Sequence, residues 1–242
     1  MNAIETKGLS KHYGTKKALA CLDLTVKDGE LFALLGVNGA GKTTTIKLLS
    51  CLMAPSSGIA CIYGHDILTH AHEARSLLAT SPQETAVAPN LTTRENLELM
   101  AGIYGASLPQ SKESAARMIA AFNMGEIENI KAKKLSGGWQ RRLSIAMALI
   151  SQPKLLFLDE PTLGLDVLAR RELWSIIRGL KGKTTVILTT HYLEEAEALS
   201  DRIGILSHGM LSALGTAQEL IAQSGAKNFE DAFITLAGGA VS

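Results

Sequence analysis

Cysteine is scarce in this sequence. The 242 residues hold three, Cys21, Cys51 and Cys61, and no Cys-x-x-Cys pair. An odd count at those spacings excludes a disulfide framework and a zinc ribbon, and it fits a reducing compartment. Neither sign of charge dominates: 24 Lys and Arg stand against 23 Asp and Glu, a net charge of +1. That balance argues against a sequence-independent grip on nucleic acid, so no nucleic-acid partner is expected. Long apolar runs are missing too. The longest stretch without an acidic or basic residue runs from Leu48 to Gly64, and Pro55, Ser56, Ser57 and Gly58 break it. No segment is therefore expected to cross a bilayer as a helix. The first twenty residues carry Glu5, Lys7 and Lys11 around no apolar core, so no signal peptide is expected. Any service to a membrane then has to pass through a partner.

With 46% hydrophobic and 19% charged residues, the chain has the composition of a globular protein long enough to bury its own core. Apolar runs alternate with amphipathic stretches and no tandem repeat is visible, the pattern of an α/β fold. The run from Cys21 to Lys27 alternates, with Leu22, Leu24 and Val26 on one face, and predicts a half-buried antiparallel strand. Leu31–Leu35 (LFALL), Leu155–Leu158 (LLFL) and Thr184–Thr189 (TTVILT) are short continuous runs, suited to strands buried on both faces. Ile203–Leu206 and Met210–Leu214 flank His208-Gly209 as a late hairpin. Between Leu91 and Ile150 no strand is expected. Thr93–Ile103 and Lys112–Phe122 read as helices, Ser136 starts a third, and 86–93 looks like the hinge into a helical insertion. This divides the chain into a core of 1–90 and 151–242 with an inserted helical part at 91–150. Phe229, Ala232, Phe233 and Leu236 form one helical stripe, expected to pack on the chain's own core.

The strongest local motif is Gly36-Val37-Asn38-Gly39-Ala40-Gly41-Lys42-Thr43, which fits G-x-x-x-x-G-K-[ST] between the LFALL strand and a helix expected over Thr44–Leu52. Glycines let the backbone wrap around phosphates with N–H groups pointing inward, and the helix N-terminus adds partial positive charge. Lys42 is placed to reach the β- and γ-phosphates and Thr43 to bind Mg²⁺. The LLFL strand ends in Asp159-Glu160-Pro161, where Asp159 can hold the metal and Glu160 can serve as general base to an attacking water. Asp23, Asp66 and Asp201 lack such a strand before them. Leu135-Ser136-Gly137-Gly138 opens the third helix, with Ser136 as a candidate N-cap and anion site. One chain hardly needs two anion sites for one γ-phosphate, and two copies placed head to tail would use both.

In this order the motifs resemble an ATP-binding cassette (ABC) ATPase, nearly end to end. Walker A is Gly36–Thr43, the Q-loop glutamine Gln83, the signature Leu135–Gly138, Walker B Leu155–Glu160, the D-loop Gly164-Leu165-Asp166 and the switch histidine His191. The resemblance implies a P-loop NTPase core, mostly parallel with an antiparallel β subdomain, carrying an inserted all-helical subdomain. It implies ATP and Mg²⁺ as cofactors, with Gly36, Asn38, Gly39, Ala40, Gly41, Lys42, Thr43 and Thr44 around the phosphates and Tyr13 stacked on the base. Gln83 would touch Mg²⁺ or the attacking water, and His191 would hold the γ-phosphate and orient Glu160. Ser136, Gly137 and Gly138 would meet the ATP of the opposite protomer, and Asp166 would link the two sites. Trp139 departs from the usual fifth signature residue, glutamine, and is expected as a packed aromatic at the subunit interface. Lys131, Lys133, Lys134, Arg141 and Arg142 are expected as a solvated face.

The stretch Thr189–Glu197 (TTHYLEEAE) and Phe229–Phe233 (FEDAF) resemble the bacterial branch that pairs with separate export permeases, of the sodium-extrusion and drug-resistance type. That branch implies an ATP-hydrolysing subunit on the cytoplasmic face of the cell membrane, acting as a homodimer beneath an integral-membrane permease. The rival expectation is a soluble ABC ATPase without a permease, of the cluster-assembly type.

Overall fold

The computed structural model describes residues 1–238. Their elements, in chain order, begin with strands β1 (Asn2–Tyr13), β2 (Lys16–Lys27) and β3 (Leu31–Leu35), helix α1 (Lys42–Leu49), β4 (Ser57–Ile62) and β5 (His65–Asp66). Then come α2 (Ala71–Ser76), β6 (Leu78–Ser81), α3 (Thr93–Ile103), α4 (Leu108–Ala121), α5 (Gly137–Leu149), β7 (Leu155–Asp159), α6 (Val167–Arg178) and β8 (Thr185–Thr190). The chain closes with α7 (Leu193–Leu199), β9 (Arg202–Ser207), β10 (Met210–Gly215), α8 (Ala217–Ser224) and α9 (Phe229–Leu236). Two 3₁₀ turns, Gly125–Ile127 and Ala132–Lys134, lie between α4 and α5.

A six-stranded sheet runs β10-β9-β3-β8-β7-β6, and a four-stranded one β2-β1-β4-β5. In the larger sheet β9, β3, β8, β7 and β6 are parallel, and β10 closes the edge as an antiparallel hairpin with β9. The smaller sheet is antiparallel throughout. The continuous apolar runs are explained by two cores. Leu31, Ala33, Leu35, Leu156, Leu158, Val186 and Leu188 face a core shared with the helices α3, α5, α6, α7 and α9. Phe32, Leu34, Leu155, Phe157 and Ile187 face the other, closed by α1 and the antiparallel sheet. Period-two alternation therefore hides both faces of the same strands, as in parallel sheets covered on each side.

Helix starts follow local chemistry. Thr92 with Glu95, and Ser107 with Gln110, form capping boxes before α3 and α4. The second box and its following Pro109 start α4 at Leu108, four residues before the expected Lys112. Helix α1 begins at Lys42 rather than Thr44, because Gly41 at φ 109° turns the chain directly into it. Strand β2 starts at Lys16, with Cys21 in a left-handed conformation (φ 53°). Helix α9 spans the expected stripe and buries Phe229 and Ala232. Within 91–150 the described elements are helical; α5 packs on α3 and also on β6, β7 and α6.

The order of strands positions the site. β3, β8, β7 and β6 are adjacent and parallel, in register at Leu35–Thr190, Asp159–Thr189 and Ser81–Leu158. The loop at Gly36, His191, Glu160 and Gln83 follow the ends of these four strands, so one edge of one sheet brings them together.

Phe157 is fully buried on β7 against α1 and the antiparallel sheet. Phe157→Ala is expected to cost about 3–5 kcal/mol, read as a fall in the urea midpoint with an unchanged slope.

Candidate functional site

After β3, the backbone turns through Gly39 (φ 83°) and Gly41 (φ 109°). A Cβ on Gly41 would sit 2.6 Å from the Ala18 carbonyl oxygen, and one on Gly36 2.5 Å from that of Leu206. Those close approaches are why glycine stands at both positions. The loop delivers Lys42, 6% exposed, whose ammonium donates to the Gly36 carbonyl (2.7 Å) and pairs with Glu160 Oε1 (3.2 Å). Glu160 Oε2 lies 2.8 Å from His191 Nδ1. The Glu160 backbone is left-handed (φ 48°), and its N–H donates to the carbonyl and hydroxyl oxygens of Thr189, both at 3.1 Å.

Asp159 is buried beneath this row. Its Oδ1 accepts from Thr189 Oγ1 (2.5 Å) and stands 3.4 Å from Thr43 Oγ1. A hydroxyl and a carboxylate oxygen this close are the hard donor set that suits Mg²⁺, an ion that keeps waters and phosphate oxygens as its other ligands. Among the described residues no group of three or more His, Cys, Asp or Glu is placed to hold a metal ion.

A cleft of about 590 Å³ opens above, lined by Tyr13, Lys16, Ala18, the loop from Val37 to Thr44, Gln83, Glu160, Leu163 and His191. Tyr13 is about half exposed, its hydroxyl against Met53 Sδ (2.9 Å) and the Lys11 ammonium 5.5 Å from its ring centre. Ser136, Gly138 and Asp166 stand outside this cleft. Ser136 caps α5, accepting from Trp139 N at 3.4 Å, and Asp166 caps α6, accepting from Ala169 N at 2.9 Å. A Cβ on Gly138 would lie 3.3 Å from Ala169 Cβ, so the two helix starts pack on one another. Gly137 meets Gln83 and Glu160 only along a separate groove of about 390 Å³.

The expected solvated basic face is corrected in part. Lys131, Lys133 and Lys134 are exposed, but Arg141 and Arg142 are 4% and 5% exposed. Arg142 stacks over the Trp139 ring (4.5 Å) and pairs with Glu172 on α6. Arg141 donates Nε to Pro161 O (2.9 Å), Nη2 to Asp159 O (2.8 Å), and Nη1 to Pro82 O and to Gln83 O (3.4 Å). Four hydrogen bonds from a rigid fork to carbonyl oxygens make such burial tolerable. Trp139 is half-buried against the helical core and Arg142. Thr189, Arg141 and Glu195 were not expected at the site. Only Thr189 carried a signal, a polar residue at the end of a buried strand.

The family model for ABC transporter matches residues 19–163. The daunorubicin/doxorubicin resistance ATP-binding protein DrrA of Streptomyces peucetius is 44% identical over 219 residues, which cover 90% of this chain and 66% of that protein. This chain thus spans just under two thirds of that relative's length. Of solved structures, an ATP binding subunit of an ABC transporter is 31% identical with a TM-score of 0.85, covering 97% of this chain and 99% of its own. The dimeric ATP-binding cassette MJ0796 in a post-hydrolysis state, bound to ADP and Pi, is 26% identical with a TM-score of 0.80, covering 88% and 98%.

One further carboxyl lies close behind the site. Glu195 on α7 is fully buried, and its Oε1 accepts from Trp174 Nε1 at 3.1 Å. Burial pushes its pKa up, against the hydrogen bond from Trp174, and the Glu160 charge adds to the rise. A raised carboxyl keeps its proton in the folded chain where the unfolded chain has lost it. Its contribution to stability is therefore full below the ordinary glutamate range and falls as pH rises through the raised value. Glu195→Gln is expected to remove that decline, giving a higher melting temperature than wild type near neutrality and a flatter profile above the ordinary glutamate range. Thermal melts from that range upward check it; an unchanged slope would refute it.

Proposed function

The chain belongs to the ABC transporter family, and from that premise we propose that it is the ATP-hydrolysing subunit of a membrane transporter, powering export by closure of a head-to-tail dimer. The observation that carries this reading is the row Lys42–Glu160–His191 at the floor of a nucleotide-sized cleft, above the Thr43–Asp159 pair. The loop N–H groups and Lys42 bind the β- and γ-phosphates, with Gly36, Asn38, Gly39, Ala40, Gly41, Thr43 and Thr44 forming the cradle. Tyr13 stacks on the base, a contact worth about 1–3 kcal/mol in comparable sites. Thr43 and Asp159 would hold Mg²⁺, with Gln83 beside them, and the bound ion would supply positive charge to offset that developing on the phosphate oxygens.

Phosphate competes with Glu160 for the Lys42 ammonium. Once released from Lys42, the Glu160 carboxylate takes a proton from the attacking water, while His191 orients it through the contact at 2.8 Å and holds the γ-phosphate. Ser136, Gly137 and Gly138 of one chain bind the γ-phosphate in the cleft of the other, and Asp166 links the two sites. ATP favours the closed pair because its γ-phosphate contacts both copies, and hydrolysis removes that preference.

The proposed partners are a second copy of this chain and an integral-membrane permease, with no nucleic acid. The proposed location is the inner face of the cell membrane, peripheral to it. Among the described residues no helix is long and apolar enough to cross a membrane, which supports a separate membrane partner. We read 1–90 with 151–242 as the ATP-binding core and 91–150 as the inserted signature part. The name of the DrrA relative favours drug-resistance-type export over a permease-free cluster-assembly ATPase.

Glu160→Gln tests the reading. The variant is expected to bind ATP, to lose about 10²–10⁴-fold in turnover, and to accumulate as an ATP-bound dimer in size-exclusion chromatography. Near-normal hydrolysis would remove Glu160 as the base.

A further inference from the structure

We propose that Arg141 is a positioning residue that couples the Gln83 loop to Glu160, so that the general base is held in place only while that loop is seated. The proposal rests on the reading of Glu160 as the base. Its ground is the destination of one buried guanidinium. None of the hydrogen bonds made by Arg141 goes to a carboxylate. Two go to the carbonyls of Asp159 and Pro161, the residues on either side of Glu160, at 2.8 and 2.9 Å. The remaining ones go to the carbonyls of Pro82 and Gln83, at the end of β6.

Three features make this more than a packing contact. Glu160 is the residue between the two clamped carbonyls, and it is left-handed at φ 48°. A non-glycine residue holds that conformation only where its surroundings over-determine it. Thr189 fixes its N–H and Arg141 fixes the carbonyls before and after, so the turn is pinned from both sides. Second, the guanidinium is planar and its donors form a rigid fork. Nη1 on the Gln83 loop cannot shift without tilting Nε and Nη2 on the Glu160 turn. Third, Arg141 belongs to α5, the helix that starts at Ser136. The same helix thus presents the signature at its first turn and holds the Gln83 and Glu160 backbones in its second. Burial lowers the Arg141 pKa to about 10, with Asp159, Glu195 and Glu160 opposing the fall; the group stays charged at neutral pH.

The test is Mg²⁺-dependent ATP hydrolysis by the full chain, with thermal melts in the presence and absence of ATP. Arg141→Lys keeps the charge and stem but loses the fork. It is expected to lower kcat by about tenfold or more while KM for ATP stays within about twofold, the signature of an interaction made in the transition state. Its ATP-induced rise in melting temperature is expected to match wild type. Gln83→Ala is expected to lower kcat in the wild-type background and to add little in the Arg141→Lys background, because the coupling is already cut. Should the lysine variant fail to fold, Arg141→Gln, a neutral amide with two donors, carries the same comparison. Wild-type kcat in the variant, or fully additive effects with Gln83→Ala, would overturn the proposal. A wild-type chain without Mg²⁺-dependent hydrolysis would instead overturn the general-base reading, and the proposal with it.

Discussion

A lysine ammonium at the start of α1 and a glutamate carboxylate at the end of β7 lie 3.2 Å apart, and the rest of the site is arranged around that contact. It exists because β3 and β7 are both neighbours of β8 in one parallel sheet. The intervening strand contributes as much as the two it separates. Thr189 holds Asp159 and the Glu160 backbone, and His191 holds the Glu160 side chain. Both charges are almost wholly buried, so the pair is poor grounds for stability; desolvation offsets much of its attraction. Its value lies in geometry. It fixes an ammonium and a carboxylate side by side at the cleft, each with further partners that keep it oriented.

That geometry was legible in the sequence to the extent that backbone demands residue type. Glycine at Gly36 and Gly41 is dictated by carbonyls that leave no room for a Cβ, and a spacing pattern records such demands. LFALL, LLFL and the threonine-flanked TVIL run read as strands because both faces meet apolar cores. Where charged residues or a positive φ interrupt the alternation, the signal faded. β1 carries Glu5, Lys7 and Lys11 among its apolar residues and Gly8 at a positive φ, and β4 and the four-residue β6 were equally obscure. Helix α6, capped by Asp166, buries only Leu173 and Ile177, too short an apolar stripe to stand out in the sequence. Arg141 shows the other limit. Nothing in Gln140-Arg141-Arg142 distinguishes a buried guanidinium from an exposed one. Its burial is decided by carbonyls from β6 and β7, more than seventeen residues away along the chain in either direction.

The signature and Asp166 complete the picture by where they stand. Both cap helices, α5 and α6, whose first turns pack together through Gly138 and Ala169. Neither lines the cleft that holds Lys42 and Glu160. On the proposed reading, the cleft is the floor for a triphosphate and the start of α5, outside that cleft, is the cover for a second chain's site. The proposed head-to-tail pair would use both; the related cassette MJ0796 is dimeric.

Mixing two crippled chains tests that division of labour most directly. Lys42→Ala spoils the floor and Ser136→Arg spoils the cover, so each chain alone should hydrolyse almost no ATP. In an equimolar mixture, a mixed dimer pairs the sound floor of one chain with the sound cover of the other, and a measurable fraction of wild-type ATP turnover should return. A mixture no more active than its components would contradict a site shared between two copies.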